Sequence, residues 1–289
     1  MQKNLPKRNL KLVMLESILT AGLLSMSIMT PFFNSIGLNQ RQIALSQAIF
    51  TIVVSILNLP AGWIADRFSR KWANVIGDFG VAISFWIYAG VNSFTGVVIC
   101  ECSLGFFMAF SQGVDVSLLR HFSQKVCPTD GYFRRQSVRL SFWQYVATLI
   151  LVLLGGPIGA INFRLAILLS GLPSLVAGII SLFIQDDSCR LQPVQSNPLR
   201  DMMRILHSSF KGPTLRRRIL AYAVGREMTH GIIWVFTPIL IMAGVPLSIV
   251  SGAWALNSLA CIVGTKLASK LVVKLKDWQI LALPVGLMI

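Results

Sequence analysis

Five ionisable side chains stand where an aqueous protein would not place them: Glu16, Glu101, Arg226, Glu227 and His230 each fall inside an otherwise apolar run. On insertion scales a charged group at the centre of a bilayer costs about 2.5 to 3.5 kcal/mol unless it is paired or hydrated, so each of the five needs a reason to be there. A carboxyl so placed can take up and release a proton. Glu227 and His230 are three apart and share a helix face, which lets them pass a proton or hold a polar solute between them. Arg226 and Glu227 can alternatively form a local pair reaching for the interface, and Glu16, shortly after Lys11, can snorkel. Glu101 has no basic neighbour in sequence and is the strongest single candidate for a proton-coupling or solute-contacting group.

Other chemistries find no support. No nucleophile, base and orienting group stand together, and no Gly-x-x-x-x-Gly-Lys-Ser loop could cradle ATP. The five cysteines are scattered without metal-ligand spacing. The expectation is a protein that is not an enzyme and carries no cofactor or metal.

The elements that must position these groups follow from composition. With 54% hydrophobic residues, 13% charged ones and a mean hydropathy of +0.68, the chain has more apolar surface than one soluble core can hide. The net charge of +15 does not point to nucleic acid, because the basic residues sit between apolar runs rather than on one face. Runs long enough to cross about 30 Å of hydrocarbon cover 12–33, 43–65, 73–92, 95–119, 138–160, 164–184, 219–243 and 247–273. They are too long and too continuously apolar for barrel strands, so they predict helices. The fold expected is all-α: a polytopic bundle of eight full spans and a partial ninth from Trp278 to Ile289, whose twelve residues would rise only about 18 Å. The first run is 22 residues long, beyond a signal-peptide core, and is expected to stay as a membrane helix.

Twenty of the 26 lysines and arginines fall at the N-terminus or in the loops after even-numbered spans, and Arg139, Lys266 and Lys270 lie at the span ends that border those loops, leaving Arg41, Arg164 and Arg226 as the exceptions. This asymmetry puts the N-terminus and the even-numbered loops in the cytoplasm of a cell whose plasma membrane, a bacterial inner membrane, holds the chain. Residues 185–218 form the one long polar stretch, dividing a six-helix bundle over 1–184 from the start of a second bundle over 219–289. Within that stretch Asn197 and Pro198 read as the start of a short amphipathic helix, with Met202, Met203 and Phe210 on one face, lying on the membrane surface. A weak repeat supports the division: Thr30-Pro31 then Gly37, and Thr237-Pro238 then Gly244.

Between the second and third spans the chain reads Gly62-Trp63-Ile64-Ala65-Asp66-Arg67-Phe68-Ser69-Arg70-Lys71, followed by Gly77-Asp78. This resembles the signature loop of the major facilitator superfamily, Gly-x-x-x-Asp-Arg-x-Gly-Arg-Lys, with Ser69 in place of a glycine. A glycine there would let helices approach, the aspartate would meet an ion pair or helix N-terminus, and the cations would hold the loop at the surface. Asp78 is expected to join the loop's ion-pair network. The stretch ending Gly113-Val114-Asp115 resembles the family's fourth helix, which implies that Asp115 pairs with Arg67, Arg70 or Lys71 as a conformational latch. Gly155-Gly156-Pro157-Ile158-Gly159 resembles the fifth-span packing motif of antiporters in the superfamily and implies export. The segment Thr265 to Lys270 resembles a decayed second copy of the signature loop.

The resemblance implies a secondary transporter. Such a protein moves a small solute by alternating access around a midplane site, here with protons as coupling partners and Glu16, Glu101 and Glu227 as coupling carboxylates. Its partners would be the solute, protons and the bilayer. The family has twelve spans, so the alternative expectation is a shortened, non-transporting remnant or a membrane scaffold.

Overall fold

The computed structural model describes residues 5–185, 198–213, 216–217, 237, 239–240 and 242–271. Among them all regular structure is helical: α1 (Leu5–Leu19), a 3-10 turn (Leu24–Ser27), α2 (Met29–Ser35), α3 (Gln40–Arg67), α4 (Arg70–Tyr88), α5 (Phe94–Ser111), α6 (Val114–Val126), α7 (Asp130–Ile161), α8 (Phe163–Leu182), α9 (Pro198–Lys211) and α10 (Leu247–Leu271). Five helical runs are long and apolar enough to cross a bilayer: Leu5–Ser27, Gln40–Arg67, Phe94–Val126, Asp130–Ile161 and Phe163–Leu182. α4 packs between α5 and α8, and α10 lies along α7. The expected seventh span and partial ninth fall mainly or wholly on residues 218–236 and 278–289, outside the described residues.

Short polar residues set the helix starts. The side chain of Asn39 accepts from the Gln42 amide while Gln42 returns a bond to the Asn39 amide, a reciprocal cap on α3. Ser93 caps α5 through the Gly96 amide, and Asn162 caps α8 through the amides of Arg164 and Leu165. Ser69, where the superfamily loop has glycine, is extended and caps α4 by accepting from the Trp72 amide.

Two expected continuous spans are broken. The first leaves helical geometry after Leu19, runs extended at Leu23, makes one 3-10 turn and resumes as α2. The fourth stops at Ser111 and restarts at Val114, because Gly113 takes φ +89°, a left-handed conformation that side chains with a Cβ rarely adopt. Hydropathy reports neither break, since both segments remain apolar. α7, in contrast, begins at Asp130, eight residues before the expected span, because Arg134, Arg135 and Arg139 are compatible with a helix that extends beyond the bilayer.

The weak repeat has a structural counterpart. Gly37 and Gly244 both take left-handed φ, +82° and +77°. After each, the next amide reaches back five residues, Leu38 to the Phe33 carbonyl and Val245 to the Leu240 carbonyl, both at 3.0 Å. This is the closure expected where a helix ends on a left-handed residue. Pro238 lies outside the described residues.

Packing is that of a lipid-solvated bundle. Large apolar side chains such as Ile52, Ile56, Ile83, Leu153 and Leu154 face outward, while Ser17, Ser25, Ser27, Ser46, Ser84, Ser170 and Ser181 are buried. Hydrocarbon gives no reward for hiding leucine, so contacts go to small residues that let backbones approach and to hydroxyls that bond across helices. One core gathers Phe32, Phe33, Tyr88, Val97 and Cys100 at the end of the bundle away from the signature loop. A second gathers Leu10, Val13, Leu118, Phe122 and Ile184 at the signature-loop end.

Candidate functional site

The break in the first span supplies the first part of the site. From Thr20 to Ile28 the backbone cannot close a regular helical ladder, and inside a bilayer the freed groups need other partners. Neighbouring helices provide them. Gln144 of α7 donates to the Ser17 carbonyl at 3.0 Å, the Thr148 hydroxyl of α7, shared with the Gln144 carbonyl of its own helix at 2.9 Å, reaches the Ala21 carbonyl at 3.4 Å, and the Ser25 amide donates to the Ser170 hydroxyl of α8 at 2.9 Å. The Ser251 hydroxyl of α10 donates to that of Ser27 at 3.1 Å. Gly155 and Gly159 of α7 make room for this segment: a Cβ on Gly155 would sit 1.9 Å from the Leu24 carbonyl oxygen, and one on Gly159 would sit 2.5 Å from Ile28. Gly156 is buried beside them and Pro157 lies within α7. The glycine-proline motif thus packs against broken backbone.

Glu101 lies seven residues into α5 and is buried, 3% exposed. Its Oε1 accepts from Gln47 Nε2 of α3 at 2.7 Å and from the Tyr88 hydroxyl of α4 at 3.0 Å. The ring of Tyr88 rests against Phe32 and Phe33, each at 6.2 Å between centroids, which links the carboxyl to the helix that follows the break. Three helices and α2 therefore converge on one acidic group served by two neutral donors.

A second acidic group lies toward the signature-loop end. Asp78 is ten residues before Tyr88 on α4, about 15 Å along the helix axis. The Ser181 hydroxyl of α8 donates to Asp78 Oδ2 at 3.3 Å. Asn74, one turn before it, donates from Nδ2 to Asp115 Oδ1 on α6 at 2.7 Å. Glu16 of α1 is fully buried and accepts from the Ser17 hydroxyl at 3.2 Å. Its side chain lies within hydrogen-bonding reach of both Asp115 and Asp78. Glu16 therefore does not snorkel to water: α1 begins at Leu5, which sets Glu16 eleven residues deep against α6 and α8.

The signature loop sits beyond this cluster. Asp66 pairs with Arg70 at 2.9 Å, the Lys71 ammonium donates to the Leu182 carbonyl at the end of α8 at 2.6 Å, and the Arg67 guanidinium lies 4.0 Å above the Trp63 ring. A cation at the C-terminus of α8 meets the negative end of that helix. Two expectations change. Among the described residues nothing lies within 4 Å of where a Cβ on Gly62 would be, and Gly62 lines a cavity of about 410 Å³ with Asn58, Asp66, Arg70 and Gly113, so no described helix approaches closely there. Asp78 accepts inward from Ser181 and Asp115 from Asn74, because both sit one or two turns below the loop on helices that turn them into the bundle. Arg226, Glu227 and His230 lie outside the described residues.

Sequence reasoning missed the break itself, Tyr88 as a donor to Glu101, and the gathering of three carboxyls. A signal for the first was present: Thr20, Gly22, Ser25 and Ser27 interrupt an apolar run with small and polar residues just before Pro31. The others depend on helix rotation, which uniformly apolar spans do not report.

No curated protein sequence matches the chain. Among solved structures, a mutant form of the nucleoside transporter NupG superposes with a TM-score of 0.70 at 15% identity, covering 93% of this chain and 68% of the other. The unaltered NupG gives 0.65 at 14% identity, covering 93% and 66%. The chain therefore spans about two thirds of the length of these structures, and at such identity the likeness is one of fold. The Major Facilitator Superfamily profile matches residues 13–289. A helical bundle with a broken first span, a basic signature loop and buried carboxyls, matched over nearly its whole length by that profile, belongs to the Major Facilitator Superfamily, a family of membrane transporters and not of enzymes.

Proposed function

We propose that the chain is a proton-coupled secondary transporter that moves a small solute by alternating access, with Glu101 as the coupling carboxyl. The observation that carries the reading is the first-span break held by Gln144, Thr148, Ser170 and Ser251. Irregular backbone at bilayer depth is tolerated where it is buried in protein or lines a cavity, and broken helices of this kind mark midplane sites in transporters. Glu101 lies beside that region through Tyr88, Phe32 and Phe33, and a carboxyl whose partners are neutral donors can lose or gain a proton without breaking an ion pair. Residues 1–184 would form one bundle and residues 219–289 part of a second, joined by 185–218, with rocking about the break exposing each side in turn.

The basic loops support a cytoplasmic N-terminus, with the chain acting in a plasma membrane. The packing of Gly155 and Gly159 on the break supports outward movement, by its likeness to the antiporter motif. Because the two superposed structures are nucleoside transporters, nucleosides are the first solutes to test. Vesicles containing the chain, given an imposed pH gradient and a panel of nucleosides and lipophilic cations, should move one of these classes faster than protein-free vesicles do. A well-inserted chain that moves none of them would contradict the proposal.

A further inference from the structure

We propose that Glu16, Asp78 and Asp115 form a second proton site, separate from Glu101, in which at least one proton is shared between carboxyl groups and ties α1, α4 and α6 together. Among the described residues, Glu16 Oε1, Asp78 Oδ1 and Asn74 Oδ1 are buried without a hydrogen-bond partner, and Glu16, Asp78 and Asn74 are each at most 1% exposed. All three atoms are acceptors. The Asn74 amide is anchored by its nitrogen on Asp115, so its oxygen lies at the same cluster.

The neutral donors nearby are already used. The hydroxyl of Ser17 serves Glu16, that of Ser181 serves Asp78, and the Asn74 amide serves Asp115. α7 turns Gln144 to the Ser17 carbonyl instead of to a carboxyl. Among the described residues, the charged groups that act on these three carboxyls are one another. Two ionised carboxylates have acceptor sites only, so carboxyls within hydrogen-bonding reach need a proton between them. A proton carried by one carboxyl turns an acceptor into a donor and so satisfies two of these groups at once.

This assignment does not rest on transport, and its test reads no flux. Infrared spectra of the purified chain in lipid are recorded at neutral pH in the Glu101→Gln background, so that Glu101 contributes nothing. The expected result is a protonated-carboxyl C=O band that shifts in deuterium oxide, and that shrinks or moves in Glu16→Gln and in Asp115→Asn. Absence of any such band in the Glu101→Gln protein overturns the proposal and needs no further variant. So does a band that both variants leave unchanged while circular dichroism shows them folded. Replacing choline by sodium at constant ionic strength gives the last arm: the band should persist, and its loss would assign the cluster to a sodium ion and overturn the proton assignment.

Discussion

Glu101 and Glu16 are the same residue type, both buried in the same bundle, yet they are held in opposite ways. Glu101 is a single carboxyl receiving two neutral donors on one oxygen, Gln47 and Tyr88, with an aromatic core behind it. Glu16 is one of three carboxyls, holds one hydroxyl donor from its own neighbour Ser17, and has an oxygen without a partner. Buried polar groups that are satisfied stabilise an arrangement, whereas unsatisfied ones destabilise it by their full desolvation cost. The first region is built to hold a carboxyl in place; the second is built so that carboxyls crowd. Between them lies the broken stretch of the first span, which joins α1, carrying Glu16, to α2, whose phenylalanines support Tyr88.

The comparison breaks most completely at the hinge between the two regions. Gly155→Ala sets a methyl group 1.9 Å from a backbone oxygen that cannot swing away. It should destabilise the chain by about 3 kcal/mol or more, the upper end of overpacking costs, read as earlier thermal unfolding in detergent. Next in size, Glu101→Leu takes the acceptor away from the half-buried Gln47 amide and strands the Tyr88 hydroxyl in an apolar core. The loss should be about 1 to 3 kcal/mol for each stranded donor. Glu16→Gln should behave in the opposite sense: it supplies an amide donor to a cluster short of donors, and thermal unfolding should come at the same or a higher temperature. Equal losses for Glu101→Leu and Glu16→Gln would erase the distinction drawn here.

Tyr88→Phe sharpens the first region, since it removes one donor and leaves Gln47 on the same oxygen. The expected loss is about 1 kcal/mol, the net worth of one hydrogen bond. Smallest of all is Ser69→Gly, which restores the superfamily's glycine. Glycine is nearly as good a helix cap as serine, so α4 should lose only about a few tenths of a kcal/mol, while Ser69→Ala should lose about 1 kcal/mol. Both are read by thermal unfolding, and they test whether the signature loop contributes little to the stability of the buried cluster beneath it.

Much of the architecture was legible because bilayer crossing depends on length and hydropathy, which sequence reports directly. The runs at 43–65, 73–92 and 164–184 coincide closely with α3, α4 and α8, the run at 138–160 gives the end of α7 but not its start, and Asn162 marks the cap of α8 openly. The helix from Pro198 starts at the proline that announced it. The breaks were not legible by hydropathy, because Leu23 in an extended conformation and Leu24 in a 3-10 turn are as apolar as they would be in a helix. Which carboxyls meet was hidden for another reason. Asp78 and Asp115 stand near basic loop residues in sequence, and a loop ion pair follows naturally from that proximity. Inward rotation of α4 and α6 places them beside Glu16 instead, and no periodicity in an apolar span encodes that rotation.

The most direct test of the account is pH-gradient-driven solute accumulation in vesicles, comparing the chain with its Glu101→Gln form once a transported solute is in hand. The glutamine keeps an acceptor for Gln47 and Tyr88 but cannot exchange a proton, so the account predicts inserted, folded protein and at least about a tenfold fall in gradient-driven accumulation, a barrier change of about 1.4 kcal/mol or more. Accumulation that continues undiminished in the Glu101→Gln protein would contradict the assignment of Glu101 as the coupling carboxyl.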